Sequence, residues 1–315
     1  MTRFTVLVVA KTTSYRTYVE EQRDPRTTAL LASGDPAVRR LRGSHEEHEA
    51  TRAEVHAAVR ELGVNAEFVS AAQVTDGSGF DLVITIGGDG TLLRASHAVG
   101  AATPILGVNS APSHSVGFFC GAEKGGVLDA LRSALGGRMP RTVLSRMRVD
   151  LNGRCLHERV LNDALFCHEV PAATSRYILT LEQPAGRARE EEQKSSGIWV
   201  GPAAGSTAAQ RSAGGRVLPL TSHRIQYVVR EPYTPRGNPL KLSCGTIGDG
   251  ARLVLRSKMR QARLFLDGPH LVHPVALGDV LTLRRSDEPL TVLGLSRLRG
   301  ATPAPPTDKA RRRTR

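Results

Sequence analysis

The sequence predicts a two-domain protein, in which an α/β open-sheet domain is followed by a β-rich, sandwich-type domain. Strand and helix patterns alternate over the first 135 or so residues, and short strands separated by Gly, Pro and Asp turns follow from about Pro140. The length of 315 residues leaves room for about two domains with sizeable cores. We predict the first domain over residues 1–138 and the second over residues 139–290.

The first domain begins with a buried parallel strand. Phe4–Ala10 is a short, Val-rich apolar run bounded by polar residues, as expected for a strand covered on both faces. A long polar stretch follows, and its second half predicts an amphipathic surface helix ending at Gly63. The later elements are strands Asn65–Val69 and Leu82–Ile86, a glycine turn at Gly87, a helix from about Leu92, and a strand at Pro104–Val108.

The second domain is predicted from short, often alternating strands. They are Val143–Asp150, Ile178–Glu182, Ile225–Val229, Arg252–Arg256, Arg263–Phe265 and Val280–Arg284. Only Gly205–Ala213 has a helical pattern in this half of the chain. Residues 301–315 are Pro-rich and then basic, with almost no apolar residue, so we predict a disordered basic tail.

Charge and apolar content exclude several classes of protein. The net charge is +13, from 43 basic and 30 acidic residues, and part of the excess lies in the tail. Aromatic residues make up only 4% of the chain, so we expect the tail to keep the protein in solution and no nucleic acid to be bound. No apolar run approaches the roughly 20 residues of a membrane helix, which excludes a membrane span.

The N-terminus and the cysteines indicate the compartment. The first apolar run is too brief for a signal peptide, and a strand starting near Phe4 leaves no room for a transit peptide. The four cysteines are far apart and form no CxxC pair, which fits reduced thiols. We therefore expect a bacterial, cytoplasmic protein without a membrane partner.

The most informative segment is Asp81–Ser96, with the sequence DLVITIGGDGTLLRAS. A buried strand leads into the glycine loop Gly87–Thr91 at its carboxyl end, where open α/β sheets bind ligands. Glycines let phosphate oxygens approach the backbone, and the N–H groups that begin a helix favour negative charge. The carboxylate of Asp89 would repel phosphate unless it held a metal ion or took up a proton during the reaction. Asp89 is therefore a candidate general base or metal-positioning group. The alternative is a plain strand-to-helix turn with Asp89 as a cap.

Two further polar segments are candidates for ligand binding. Asn162 and Asp163 together suit a ribose diol or an adenine edge, although alone they fit a solvated turn better. Ser206 and Thr207 begin a predicted helix and could equally be caps. Three such segments after strands favour a binding site. By contrast, His45–His48 lacks the spacing of a zinc motif, and we interpret it as part of a solvated helix.

The motifs resemble those of the NAD kinase family. ITIGGDGTLLRAS is similar to the loop that NAD kinases share with phosphofructokinases and with diacylglycerol and sphingosine kinases. Three other segments distinguish NAD kinases from these relatives. VLNDA at Val160–Ala164 resembles the family's Asn-Glu/Asp pair. GSTA and SAGG, at Gly205–Ala208 and Ser212–Gly215, resemble its second signature, and GVN at Gly107–Asn109 resembles the strand end that opens the inter-domain crevice. Order and spacing match from about Phe4 to Leu218.

Some details are similar to a subgroup, the mitochondrial-type NAD kinases and their bacterial relatives. These are VVAKTT at Val8–Thr13, NSAPSHS at Asn109–Ser115 and QKSSG at Gln193–Gly197. Two positions depart from the pattern of most bacterial members. Ser196 stands where an Asp usually contacts the nicotinamide side, and Ala209 stands where a Tyr usually stacks on the ligand. The resemblance thus leaves open the preference for NAD⁺ or NADH.

The resemblance implies a fold, an activity and an assembly. It implies an NAD kinase-like two-domain fold, in which a C-terminal segment packs back on the first domain. We predict this segment over residues 291–300, and Leu290–Leu298 are the residues expected to make the contact. It implies ATP-dependent phosphorylation of the 2′-hydroxyl of the adenosine ribose of NAD(H), and a homo-oligomer, dimer or tetramer. The alternatives are a lipid kinase of the same superfamily, acting on diacylglycerol or sphingosine-type hydroxyls, and a catalytically silent nucleotide-binding regulator.

The resemblance also assigns roles to residues. Asp89 would accept the ribose hydroxyl proton, while ATP would bring Mg²⁺, bound mostly through its own oxygens. Asn162 and Asp163 would orient the dinucleotide. The remaining residues expected to bind nucleotide are Gly87, Gly88, Gly90, Thr91, Asn109, Ser196, Thr207, Ala208 and Ser212.

Overall fold

The structure is a computed structural model, and it describes residues 4–234 and 240–295. The predicted tail at 301–315 and the end of the predicted segment 291–300 lie outside the described residues. The predicted fold class, an α/β domain followed by a β-rich domain, is confirmed.

The first domain is an open sheet with helices on its two faces. Its strands are β1 Thr5–Ala10, β2 Asn65–Ser70, β3 Leu82–Gly87, β4 Ile105–Asn109, β5 Cys120–Glu123 and β6 Arg141–Leu144. Its helices are α1 Pro25–Ala32, α2 Leu41–Glu61, α3 Asp89–Ser96 and α4 Val127–Leu135, with a π-helix at Arg16–Glu21 and a 3₁₀ turn at Pro36–Val38. Strands β1 to β5 pair in parallel, so their carboxyl ends meet at one edge.

The two faces of this sheet carry separate cores, as its apolar strands require. Val55 of α2 packs with Val8 and Ile84 on one face. Leu92 of α3 packs with Val9 and Val83 on the other. Strands buried on both faces read as continuous apolar runs, which is why the sequence revealed them.

The second domain is a pair of antiparallel sheets. The strands are β7 Met147–Leu151, β8 Arg154–Val160, β9 Ala164–His168, β10 Ser175–Glu182, β11 Arg189–Ser195, β12 Ile198–Pro202, β13 Ile225–Val229, β14 Cys244–Ile247, β15 Arg252–Ser257, β16 Ala262–Leu266, β17 Leu271–Val275 and β18 Val280–Arg285. One sheet has the order β11-β10-β15-β18-β7-β8 and the other β14-β13-β12-β9-β16-β17. Side chains from both sheets, such as Leu179 and Phe166, share one core, as in a β-sandwich.

The chain then returns to the first domain. Strand β19, Leu290–Leu293, lies between β4 and β6, parallel to the former and antiparallel to the latter. Leu290 and Val292 are fully buried there. The chain therefore crosses between the two domains twice, after β6 and after β18.

Three sequence predictions differ from the structure. The single strand predicted at Val143–Asp150 is two strands in different sheets, β6 and β7, because the chain leaves the first domain between them. The helix predicted from Leu92 begins at Asp89, directly after Gly88. The helical segment predicted at Gly205–Ala213 is a 3₁₀ turn, Ala203–Thr207, followed by the single turn α5, Ala209–Ser212.

Among the residues described, no helix is long and apolar enough to cross a bilayer.

Candidate active site

Two clefts meet at Asp89. The glycine-loop cleft, of about 810 Å³, lies between the carboxyl edge of the first sheet and the turn after β16. Its lining includes Lys11, Thr12, Gly88, Asp89, Gly90, Thr91, Arg94, Asn109 and residues 267–270. The Asn162 cleft, of about 580 Å³, is lined by Asp89, Leu93, Val116, Phe118, Phe119, Asn162, Ala204, Thr207, Ala208 and Arg211. Asp89 lines both, so a group in either cleft can reach its carboxylate.

The carboxylate of Asp89 holds a neighbouring loop and does not cap its own helix. Gly88 is the N-cap of α3 and makes no side-chain cap bond. Instead, Asp89 Oδ1 accepts the backbone N–H of Phe119 at 2.7 Å and Oδ2 that of Phe118 at 2.9 Å. An ionised carboxylate has about four acceptor positions, so each oxygen keeps a lone pair for a ligand hydroxyl.

The glycines of the loop have different spatial roles. A Cβ on Gly87 would overlap the side chain of Thr91, and one on Gly88 would meet Ser115 Oγ at 2.6 Å. A Cβ on Gly90, by contrast, would meet no protein atom within 4 Å. A Cβ on Gly87 would therefore force Thr91 to move, and one on Gly88 would force the Ser115 hydroxyl to turn aside, whereas the Cα of Gly90 faces open space in the cleft.

Two cations of the glycine-loop cleft were not predicted as site residues. Lys11 directly follows β1, and Arg94 lies on α3 four residues beyond Gly90; both side chains are half-buried. Burial lowers the pKa of Lys11. Neither is paired with an acid in the described part of the chain, and each is therefore able to neutralise an anionic ligand. The sequence feature that could have identified Lys11 is its position at the carboxyl end of a predicted parallel strand, where such sheets bind ligands.

Asn162 is presented by the short connection between β8 and β9. Its Nδ2 donates to Asp163 Oδ2 at 2.7 Å, which fixes the orientation of the amide beside the cleft. Asp163 itself is buried, and burial, followed by the charge of Asp267, raises its pKa to about 7. The backbone of the 3₁₀ turn packs so closely on this connection that a Cβ on Gly205 would overlap the carbonyl of Asn162.

The other predicted residues fall into two groups. Thr207 and Ala208 line the Asn162 cleft, and Asn109 lines the glycine-loop cleft, where its Nδ2 donates to the carbonyl of Ser115 at 3.0 Å. Ser212 is exposed at the end of α5, and Ser196 lies in the turn between β11 and β12, with its N–H donating to the carbonyl of Arg230. These two do not line either cleft.

The interpretation of His45–His48 as a solvated segment is wrong at His48. The side chain is 1% exposed, and its Nδ1 is 2.8 Å from Ser110 Oγ, a residue of the glycine-loop cleft. Burial, and then the charge of Lys11, lower the pKa of His48 to about 4, so the imidazole is neutral near pH 7. His48 lies on the same face of α2 as Val55, and this face packs against the core. The many charged residues of the helix made this buried face hard to recognise in the sequence.

The chain is similar in sequence and in fold to several known proteins. Residues 10–131 match the family model described as "ATP-NAD kinase N-terminal domain". A probable NADH kinase of Oryza sativa subsp. japonica is 38% identical over 67% of this chain and 69% of its own length, and an NADH kinase of Arabidopsis thaliana is 35% identical over 69% and 73%. The crystal structure of an NAD kinase from Archaeoglobus fulgidus in complex with ATP superposes with a TM-score of 0.63 at 18% identity, covering 94% and 95% of the two chains.

The fold and the paired clefts define a class, the two-domain phosphotransferases that hold their ligands between an α/β sheet and a β-rich domain. Within that class, this chain is at least 35% identical to the two plant kinases and covers more than two thirds of each. The chain belongs to the NAD kinase family.

Proposed function

We propose that this protein transfers the γ-phosphoryl group of ATP to the 2′-hydroxyl of the adenosine ribose of NAD(H), giving NADP(H) and ADP. The observation that carries the proposal is the position of Asp89, which among the described residues is the one whose side chain lines both clefts. A transfer between two bound molecules needs such a junction, because acceptor hydroxyl and donor phosphorus must lie about 3–3.5 Å apart.

The glycine-loop cleft suits the donor. Its half-buried cations, Lys11 and Arg94, and the N–H groups at the start of α3 attract a triphosphate. The open face of Gly90 permits a phosphate to approach the backbone. We propose that Gly88, Gly90, Thr91 and Asn109 also contact the donor.

The Asn162 cleft suits the acceptor. Its lining combines the Asn162 amide and Thr207 with apolar surface from Phe118 and Ala204, as expected around a nucleoside. The amide and hydroxyl would orient the ribose, with Asp163 holding Asn162 and Ala208 completing the wall.

The transfer forms one bond to the γ-phosphorus and breaks one. The 2′-oxygen of the ribose bonds to the γ-phosphorus, the bond from that phosphorus to the β,γ-bridging oxygen breaks, and ADP leaves. Asp89 takes the hydroxyl proton on a lone pair that its bonds to Phe118 and Phe119 leave free. Phosphoryl transfer asks little more of a protein than this positioning together with neutralisation of charge.

Mg²⁺ fits the oxygen-rich lining of the glycine-loop cleft, since hard cations prefer oxygen ligands and usually arrive bound to phosphate. Asp89, a carboxylate in the lining of that cleft, would hold it together with the ATP phosphates, and the metal would neutralise charge on the transferred group.

The proposal is tested by a matrix of donors and acceptors. The purified full chain is incubated with ATP or polyphosphate and with NAD⁺, NADH, diacylglycerol or sphingosine, and NADP(H) or labelled lipid is measured. We expect NADP(H) in at least one of the ATP arms. Labelled lipid without NADP(H), or no product in any arm, would overturn the proposal. The same matrix reports the preferred oxidation state of the acceptor, and light scattering tests the homo-oligomer that we propose from the family.

The role of Lys11 is tested by Lys11→Met, which keeps the length and apolar stem of the side chain but removes the charge. We expect the KM for ATP to rise about tenfold, equivalent to about 1.4 kcal/mol, with little change in the KM for NAD(H). Steady-state kinetics with each substrate varied in turn measures both values. Lys124→Met, at an exposed lysine outside both clefts, is the control. Equal effects of the two substitutions would remove Lys11 from the donor site.

Gly90→Ala separates a ligand contact from a packing role. Nothing in the protein obstructs the new methyl group, and Gly90 does not have a positive φ, so the melting temperature should be unchanged. A phosphate against this backbone would be displaced, and we expect the KM for ATP to rise about tenfold. Gly248→Ala, also unobstructed, is the matched control. A KM for ATP equal to that of the control would show that the donor lies elsewhere.

We also propose the cytoplasm as the compartment, on the support of the four free thiols, two of them exposed.

A further inference from the structure

A single buried carboxylate holds the connection that carries Asn162. The chain passes from β8 to β9 through Leu161, Asn162 and Asp163, and the backbone N–H groups of all three point at Asp267. Oδ2 accepts from Leu161 at 2.8 Å, and Oδ1 accepts from Asn162 at 2.7 Å and from Asp163 at 2.9 Å. The backbone N–H of Asp267 donates in return to the carbonyl of Asp163 at 2.8 Å.

This carboxylate is removed from solvent and surrounded by polar groups. Its side chain is 0% exposed, and His97 Nε2 lies 3.4 Å from Oδ2. Burial raises the pKa of Asp267 to about 6, while the three N–H groups oppose the rise, so the group is ionised at neutral pH. A buried charge is retained only where such partners compensate for lost hydration.

The partners of Asp267 reach the helix that carries Asp89. His97 is the C-cap of α3, and its Nδ1 lies 2.5 Å from His157 Nε2 on β8. The buried guanidinium of Arg146 donates to the carbonyls of Ser96 and Val99 at the same helix end. Asp267 and the residues that follow it, at 268–270, line the glycine-loop cleft. Asp267 thus lies between the acceptor connection and the donor cleft without lining the Asn162 cleft itself.

We propose that Asp267 is a positioning residue for the acceptor: by holding three successive backbone N–H groups, it sets where the Asn162 amide meets the dinucleotide. This inference rests on the proposed function for the identity of the ligand. It goes beyond that function in assigning acceptor affinity to a residue outside the acceptor cleft. The three N–H groups of this short connection lie outside the strand ladders, and the Asp267 carboxylate is the acceptor that they meet.

Asp267→Asn is the sharpest substitution. Asp267 has a φ of +49°, a left-handed conformation that Asn also adopts readily, so the backbone is preserved. The amide retains one acceptor oxygen and turns an NH₂ donor towards an N–H group that needs an acceptor. We expect the KM for NAD(H) to rise about tenfold and the KM for ATP to change less than twofold. Asp279→Asn is the control: it too accepts a backbone N–H, from Ala276, but in an exposed turn.

Hydrogen exchange supplies a readout independent of activity. In the wild-type protein without ligand, the amides of residues 161–163 should exchange slowly although they lie outside the strands, and in Asp267→Asn they should exchange at least tenfold faster. Rapid exchange in the wild type would overturn the proposal even if the variant failed to fold. So would equal rises in the two KM values, or a KM for NAD(H) matching that of Asp279→Asn. A wild-type protein that forms no NADP(H) but shows the protected amides would instead contradict the proposed function alone.

Discussion

Replacement of Asp89 by Asn is expected to lower the turnover number by a factor of about 100 or more while leaving the protein folded. The amide cannot take the ribose proton. It can still accept one of the two N–H groups, from Phe118 or Phe119, that the carboxylate holds. Steady-state kinetics at saturating ATP and NAD(H) measures the loss.

The two roles of Asp89 are separated by a second measurement. If loss of the contacts to Phe118 and Phe119 were the main effect, their amides would exchange faster and the KM for NAD(H) would rise with little change in turnover. Asp76→Asn provides the control, because that carboxylate also accepts a backbone N–H, from Ser78, in an exposed turn of the same domain. Turnover within a few fold of wild type would contradict the assignment of Asp89 as the proton acceptor.

Gly205→Ala is the second substitution for which we expect a large effect. Its Cβ would overlap the carbonyl oxygen of Asn162, and because the obstacle is backbone it cannot swing aside. We expect a loss of about 3 kcal/mol in the free energy of unfolding, the upper part of the usual range for overpacking. Displacement of Asn162 by an ångström should also reduce kcat/KM for NAD(H) about 100-fold.

Denaturant unfolding and steady-state kinetics measure these two effects. Gly248→Ala is the matched control, because its methyl group would meet nothing within 4 Å in the same domain. If Gly205→Ala matched this control in stability and kinetics, the close packing of the 3₁₀ turn on the Asn162 connection would be wrong.

Sequence patterns predicted the parts of the site that lie on regular elements. The buried strand β3 is a continuous apolar run, and its glycine loop and Asp89 follow at the edge where such sheets bind ligands. The Asn162 connection and the 3₁₀ turn at Ala203–Thr207 could be found only through their resemblance to a family, since each alone fits an ordinary turn.

The sequence analysis did not predict helix α4, although its apolar pattern is present. The contacts of Asp267 could not be predicted from the sequence at all. Asp267 and Asn162 are 105 residues apart in the chain, and no local periodicity connects them. Likewise, the pairing of Asp89 with Phe118 and Phe119 depends on how a loop folds over the cleft. Contacts of this kind arise when strands from different parts of the chain are brought side by side.

The sequence alone thus determined the two-domain class, the glycine loop and the family, because these depend on local apolar patterns and short motifs. Only the tertiary structure decided that β19 inserts between β4 and β6, that His48 is buried, and that Asp89 borders both clefts. The physical reason is that burial and hydrogen bonding of a side chain depend on neighbours distant in sequence, which packing selects and a local pattern does not encode.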